Sequence, residues 1–327
     1  MNKNISKLLS ALTSIGLVIL IFIQVDIDQC SKIFIQTKVQ YIYIVGFVLS
    51  PVLLILLVFR WKLILQDLDV NFSFFALFNS YTKGLLWGEL TPGKIGEVLR
   101  VRYIYKYKKK NMIGLALLSI FIDRICDLLV LFIITIVSCI YFINNFNINY
   151  MFSVLMVAIV SVLSVFLSFC FRNKIGNGLK KIINVFLWKY RERFNIQYDN
   201  IIEGINKLNA KNIFIYIFIT FTIWIVKVVS LPLFTLSLNI EIPLLYLFAV
   251  GIISVTISLL PISIAGIGTR EIIFIYFLSY YKISPEASVL VSIMFYLFGI
   301  WSIALAIIMN VAYSQFKKLQ SYKRFII

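Results

Sequence analysis

The sequence predicts an all-α polytopic membrane protein, with about six full spans plus two re-entrant or broken hairpins arranged as an inverted-topology repeat. Three observations lead there. The 327 residues are 61% hydrophobic with a mean hydropathy of +0.96, more apolar surface than a soluble chain of this length can hide. Apolar runs of about 18 or more residues recur, each long enough to cross a bilayer. Basic residues gather between these runs on alternate sides, as the positive-inside rule requires. A membrane β-barrel calls for weakly alternating segments of about 10 residues, a pattern missing here.

The net charge of +17 fits a chain facing an anionic leaflet better than one binding nucleic acid. There is no histidine, which argues against a zinc site and a His-based triad. Cys30, Cys126, Cys139 and Cys170 are scattered, with neither disulfide nor metal spacing. No cofactor, metal or catalytic residue is expected, and the chain is not read as an enzyme.

Lys3 and Lys7 place the N-terminus in the cytoplasm. The first span is Leu8 to Val25, without a small-residue cleavage site. Asp26 to Gln40 reads as an external loop. The second span is Tyr41 to Phe59, after which Arg60 and Lys62 mark the return inside. Val70 to Leu90 is apolar but interrupted by Asn71, Asn79, Lys83 and Glu89. It ends at Thr91 to Arg102 (TPGKIGEVLRVR) and a strong basic cluster, so both flanks are cytoplasmic and the segment is re-entrant or a hairpin. Met112 to Ile143 is about 48 Å long as a helix, more than the hydrocarbon needs. Its Asp123, Arg124 and Asp127 fall near the cytoplasmic border.

Met151 to Phe171 returns inside. Residues 172–211 carry nine basic residues against three acids, and Leu179, Ile182, Ile183, Phe186, Tyr190 and Phe194 follow helical spacing, as in a basic amphipathic helix on the cytoplasmic surface. Ile213 to Leu238 goes out, with Lys227 inside it and Pro232 expected to kink it. Leu244 to Tyr281 is broken at Pro261 to Glu271 (PISIAGIGTRE). Ala287 to Tyr313 ends inside at Lys317, Lys318, Lys323 and Arg324, with no soluble C-terminal domain expected. Residues 1–147 and 150–313 then repeat one plan: span, span, interrupted segment, span, starting from opposite sides. In secondary transporters, paired Gly/Pro-interrupted segments point to a substrate site.

The two breaks have similar chemistry. Thr91 suits an N-cap and Pro92 the first helical position, while Gly93 and Gly96 keep the backbone bare. The second break has a similar make-up, with Pro261, the small residues Ser263, Gly266 and Gly268, and an Arg–Glu pair. Helix starts near Thr91 and Thr269 attract anions, reinforced by Lys94 and Arg270. Arg100 and Arg270 can neutralise phosphate, and Glu97 and Glu271 can order the arginines, accept bonds from a headgroup or bind protons. The plainer alternative is that Glu97–Arg100 and Arg270–Glu271 are interface ion pairs. Asp123, Arg124 and Asp127 are either a border ion pair or part of the site. Lys227 either snorkels or meets an acid or a lipid phosphate. Asp26-Ile-Asp28 raises a competing reading, a membrane glycosyltransferase using a lipid-phosphate sugar.

The stretches TPGKIGEVLR, FIDRICDLL and LLPISIAGIGTRE resemble three motifs of the flippase-like transmembrane domain of the lysylphosphatidylglycerol synthase family. Pro92, Gly93, Gly96, Glu97 and Arg100 match the first motif. Asp123, Arg124 and Asp127 match the second. Pro261, Ser263, Gly266, Gly268 and Glu271 match the third, with Ala265 in place of a glycine. The resemblance implies a stand-alone domain that moves a lipid, either an anionic phospholipid or a polyprenyl-phosphate-linked sugar, between leaflets. It also implies work beside a glycosyltransferase or lipid-modifying enzyme. A third possibility is a partner of such an enzyme that transports nothing.

Overall fold

The computed structural model describes residues 16, 19, 23, 25–89, 91, 96–105, 113–146, 154, 156, 159, 191–259, 263 and 266–326, and the described residues contain helices and no strand. The expected spans Leu8 to Val25 and Met151 to Phe171 lie almost wholly outside them. Four described helices are long and apolar enough to cross a membrane: Val39–Asp67, Ile113–Phe146, Ala210–Ser237 and Pro285–Gln315. The protein is therefore a multi-pass membrane protein. These four match expected spans, three with ends moved by up to three residues, while the helix from Val39 runs eight residues past Phe59.

In chain order the helices are α1 (Ile27–Ile35), α2 (Val39–Ile44), a π-helical turn (Val45–Leu49), α3 (Ser50–Asp67), α4 (Phe74–Glu89) and α5 (Leu99–Tyr105). Then come α6 (Ile113–Phe146), α7 (Arg191–Lys207), α8 (Ala210–Ser237), α9 (Leu244–Ser258), α10 (Thr269–Ser279) and α11 (Pro285–Ile326). One expectation changes. The loop Asp26 to Gln40 contains α1, started by the Asp26 carboxylate, which accepts the N–H groups of Asp28 (2.9 Å) and Gln29 (3.4 Å). Helix α8 runs through Pro232, the residue expected to kink it.

The chain divides into two compact units. The first comprises 1–58, 73–99 and 226–327; the second comprises 59–72 and 100–225. Within the first, α11 is the hub, packing against α1, α4, α10 and the π turn, while α9 packs on α10. Polar groups stitch these contacts. Trp301 Nε1–H donates to the Gly46 carbonyl (3.0 Å), a group that the π turn exposes, and the Ser302 hydroxyl bonds Ser50 (3.1 Å). Phe75 stacks on Tyr313 with ring centroids 4.1 Å apart.

Within the second unit, α7 packs on α6. It is the described part of the expected amphipathic segment. Gly204 lets it approach, since a Cβ there would stand 2.9 Å from the Leu115 and Leu118 methyls. Lys207 ties its end to Asp69 and Glu203, each at 2.8 Å. The Asp69 bond raises the Lys207 pKa. On α8, Tyr216 and Thr220 point inward, while Phe214, Phe218, Phe221 and Ile225 form an exposed apolar stripe at helical spacing, a face made for lipid tails.

One local device recurs. Helix α3 ends with Asp69 in the left-handed region (φ 59°), the Val70 N–H reaching back to Leu65 C=O (2.8 Å) and the Asp69 N–H to Gln66 C=O (3.0 Å). Helix α8 ends identically: Asn239 has φ 59°, Ile240 reaches Thr235 (2.9 Å) and Asn239 reaches Leu236 (3.2 Å). Both are Schellman caps, each sealed by a buried apolar residue, Val70 or Ile240. The separation of Asp69 from Asn239 is also that of Phe74 from Leu244, Gly96 from Gly266, Leu99 from Thr269 and Arg100 from Arg270. Those pairs are, respectively, two helix starts, two short 3₁₀ positions, two more helix starts and two arginines.

The left-handed cap gives a test. Asn239→Val places a β-branched residue at positive φ and is expected to cost about 1–3 kcal/mol, whereas Asn239→Gly holds or raises stability. Thermal unfolding of the detergent-solubilised protein measures both.

Candidate functional site

The first break is closed by its own side chains. The Thr91 hydroxyl donates to the Trp87 carbonyl (2.8 Å) and accepts the Gly96 N–H (2.7 Å). Thr91 thus ties the end of α4 to Gly96, where a described 3₁₀ turn runs to Val98 and α5 starts at Leu99. The expected helix start near Thr91 falls on residues 92–95, outside the described residues. Gly96 is obligatory, because a Cβ there would collide with the Trp87 carbonyl. Glu97 is 2% exposed, and its Cγ lies 2.6 Å from where a Cβ on Gly88 would stand. Gly88 therefore makes the room that Glu97 fills, a role its place inside an apolar helix did not reveal. Pro92, Gly93 and Lys94 lie outside the described residues.

The second break keeps its turn with two left-handed glycines, Gly266 (φ 77°) and Gly268 (φ 88°). Thr269 Oγ1 donates to the Gly266 carbonyl (3.0 Å) and lies 3.1 Å from the Ser263 hydroxyl. Glu271 reaches back to the start of α10, where it accepts the Gly268 N–H at 2.6 Å. Its other oxygen accepts the Ser292 hydroxyl of α11 at 3.1 Å. Arg270 is half-buried, with its guanidinium 4.6 Å from the centroid of the Tyr296 ring. That guanidinium also lies over Gly266, 3.0 Å from the position of an added Cβ. Both halves of the turn thus depend on bare backbone. Pro261 lies outside the described residues.

Arg100 belongs to the second unit, in a buried charge cluster. Asp123 is its centre. One carboxylate oxygen accepts Arg60 Nε (2.8 Å) and the other accepts Arg100 Nη1 (2.9 Å). Arg60 also donates to Asp127 (3.1 Å) and to the Thr220 hydroxyl (2.7 Å). Arg124 lies 3.5 Å from Asp127, the expected i,i+3 pair, and 3.6 Å from Asp123. The side chains of Arg60, Arg100 and Asp123 are all 0% exposed. The Trp61 ring stands 5.5 Å from the Arg100 guanidinium, held by its own bond to Ser119 (3.0 Å).

Arg60 is a residue that sequence reasoning misplaced. Read as a flanking charge at a span's end, it sits inside α3, which runs on to Asp67. The signal was available: Trp61, Leu63, Ile64 and Leu65 continue the apolar run past it. Ser292 and Tyr296 carried no motif and are placed only by packing. Lys227 is half-buried within α8, where its carbonyl accepts the Ser230 hydroxyl (2.7 Å). Asp26, on which the glycosyltransferase alternative depends, is occupied as the cap of α1. Among the described residues no cluster of metal-ligating side chains occurs.

Residues 7–307 match the family described as lysylphosphatidylglycerol synthase TM region. Three curated archaeal relatives bear only the name UPF0104 membrane protein. MJ1595 of Methanocaldococcus jannaschii is 24% identical over 85% of this chain and 85% of its own. A protein of Methanothermobacter thermautotrophicus is 23% identical over 82% of this chain and 84% of its own. PH1989 of Pyrococcus horikoshii is 19% identical over 82% of this chain and 85% of its own. The match is to a membrane region, and none of these names carries an enzymatic activity.

Three substitutions probe these contacts. Asp123→Ala leaves Arg60 and Arg100 buried beside a lost carboxylate and is expected to cost about 3–5 kcal/mol, read as a lower unfolding temperature and poor recovery from membranes. Gly96→Ala is expected to lower the unfolding temperature clearly more than Gly204→Ala, whose added methyl meets only movable leucine ends.

Proposed function

Because the chain belongs to the family of the lysylphosphatidylglycerol synthase TM region, we propose that it moves an anionic lipid headgroup between leaflets. The headgroup is that of an anionic phospholipid or a lipid-linked saccharide; the tails stay in the hydrocarbon. One observation carries this reading. At the second break, a half-exposed arginine stands in the first turn of α10, where the helix N-terminus adds its own partial positive charge. An ionisable side chain within a membrane region is costly and is a candidate for a substrate path.

The chain works as two inverted halves, 1–147 and 150–313, in a cell membrane with both termini cytoplasmic. The five residue pairs at one separation support a duplicated plan. Thr91 to Glu97 and Ser263 to Glu271 line one polar path for the headgroup. In it Arg270 neutralises phosphate, while Glu97 and Glu271 order the path or exchange protons. The packing of α4 and α10 on the same helix, α11, supports a shared path, since both breaks hang from helices on one scaffold.

The test is leaflet exchange in vesicles reconstituted with the purified full chain and a fluorescent phosphatidylglycerol. The expected result is exchange that falls at least about tenfold in Arg270→Ala, the loss of one charge-assisted contact, and that also falls in Glu97→Gln. Equal rates in parent, variants and protein-free vesicles reject transport. Co-purification with a lipid-modifying enzyme in that case assigns the chain to an accessory role.

A further inference from the structure

Helices α1 and α7 lie outside both breaks, and they occupy the same place in the two halves. Helix α1 joins α2 through Gln36 to Lys38, and α7 joins α8 through Leu208 and Asn209. At the separation that relates Asp69 to Asn239, Ile35 at the end of α1 falls on Ile205 in the last turn of α7. Val39, which starts α2, falls on Asn209, directly before α8. The repeated plan therefore reaches back past the spans to a short helix on the approach to each.

The partners of these two helices are exchanged between the halves. Helix α1 packs on α11, the long helix of the second half, and the Asp26 N–H donates to the Glu286 carboxylate in its first turn (3.4 Å). Helix α7 packs on α6, the long helix of the first half, where Gly204 lies against Leu115 and Leu118 of the opening turns. The links behave alike. The Lys38 N–H, following α1, donates to the Ser237 carbonyl at the end of α8 (2.8 Å). The Lys207 amine, ending α7, donates to Asp69 just past the end of α3 (2.8 Å). At the common separation Lys38 falls beside Lys207, and Ser237 falls on Asp67. These are one contact with the halves exchanged and a shift of one or two residues. A two-fold relation makes such pairs, because residue i meeting j then entails the equivalent of j meeting the equivalent of i.

The faces of both helices suit a membrane surface. On α1, Cys30 and Ile33 are half-buried, while Ile27, Phe34 and Ile35 are exposed beside Asp28, Ser31 and Lys32. Exposed apolar side chains on a short amphipathic helix fit the boundary between headgroups and tails. On α7, Ile201, Ile202 and Ile205 are half-buried, while Asp199, Glu203 and Asn206 are exposed. Charge separates their sides. Asp26 to Gln40 holds two acids and two lysines, whereas 172–211 holds nine basic residues against three acids, the cytoplasmic signature.

We infer that α1 and α7 are equivalent interfacial clasps, α1 in the outer headgroup layer and α7 in the cytoplasmic one. Each holds the long helix of the other half, and each parts as the halves exchange conformations. In inverted repeats, alternating access is a rocking of one repeat against the other, so contacts that cross between repeats are remade in every cycle. The parting rests on the proposed transport; the placement does not.

The experiment uses the full chain with Cys30 and Cys170 replaced by serine, while the buried Cys126 and Cys139 stay. Single cysteines are placed by Ser31→Cys in α1 and Asn206→Cys in α7, both exposed positions. A membrane-impermeant maleimide is expected to label Ser31→Cys in intact cells and Asn206→Cys only after permeabilisation. Separately, Lys38→Cys/Asn239→Cys and Asp69→Cys/Lys207→Cys are each bridged in detergent by a short bis-methanethiosulfonate. The bridged proteins are then reconstituted with a fluorescent phosphatidylglycerol. Leaflet exchange is expected to be lost when either pair is bridged and to return on reduction, a recovery that an unfolded protein would not show.

Labelling of both cysteines from one side overturns the inference, as does exchange that continues at the unbridged rate with either pair bridged. Exchange absent in the parent, with the two cysteines labelled from opposite sides, rejects transport and leaves the placement of the clasps standing. The two failures are therefore separable.

Discussion

In hydrocarbon, a helix can be interrupted only if the freed N–H and C=O groups find partners within the protein. At the described residues of both breaks, side chains a few residues away supply such partners. Thr91 bridges the end of α4 to Gly96, and Glu271 folds back on the Gly268 N–H. The surrounding glycines follow from the same demand. Closing a turn this tightly brings Gly96 against the Trp87 carbonyl and Gly266 against Ser258, where no Cβ fits.

Carboxylates do two kinds of work here, set by where they stand. Asp123 is a buried centre that ties Arg60 on α3 and Arg100 on α5 to α6. Removing one member of such a cluster exposes the desolvation cost of the others, so it specifies an arrangement more than it adds stability. Glu271 instead satisfies backbone and a hydroxyl, fixing the first turn of α10 and, with it, the base of Arg270. Charges that look alike in sequence thereby separate into structural and exposed ones.

Lipid contact explains the rest of the surface. Apolar stripes such as Phe214, Phe218, Phe221 and Ile225 need no protein partner, because the solvent there is itself apolar. Packing between helices relies instead on small residues and short polar bonds, as at Gly204, at the Ser302–Ser50 pair and at the Gly46 carbonyl offered to Trp301.

Much of this was legible in the sequence, because the signals are local. Long apolar runs dictate spanning helices wherever backbone bonds must be made internally. Gly, Pro and charge inside such runs mark the two breaks, the second of which opens a helix at Thr269 as expected. The i,i+3 pair of Arg124 and Asp127 follows from helical geometry alone. What sequence could not decide was pairing at a distance. Nothing local brings Arg60 to Asp123, turns Thr91 back onto α4, clears a place on Gly88 for Glu97 or sets Tyr296 beneath Arg270. Those choices rest on which helix faces meet, and only packing in three dimensions settles that.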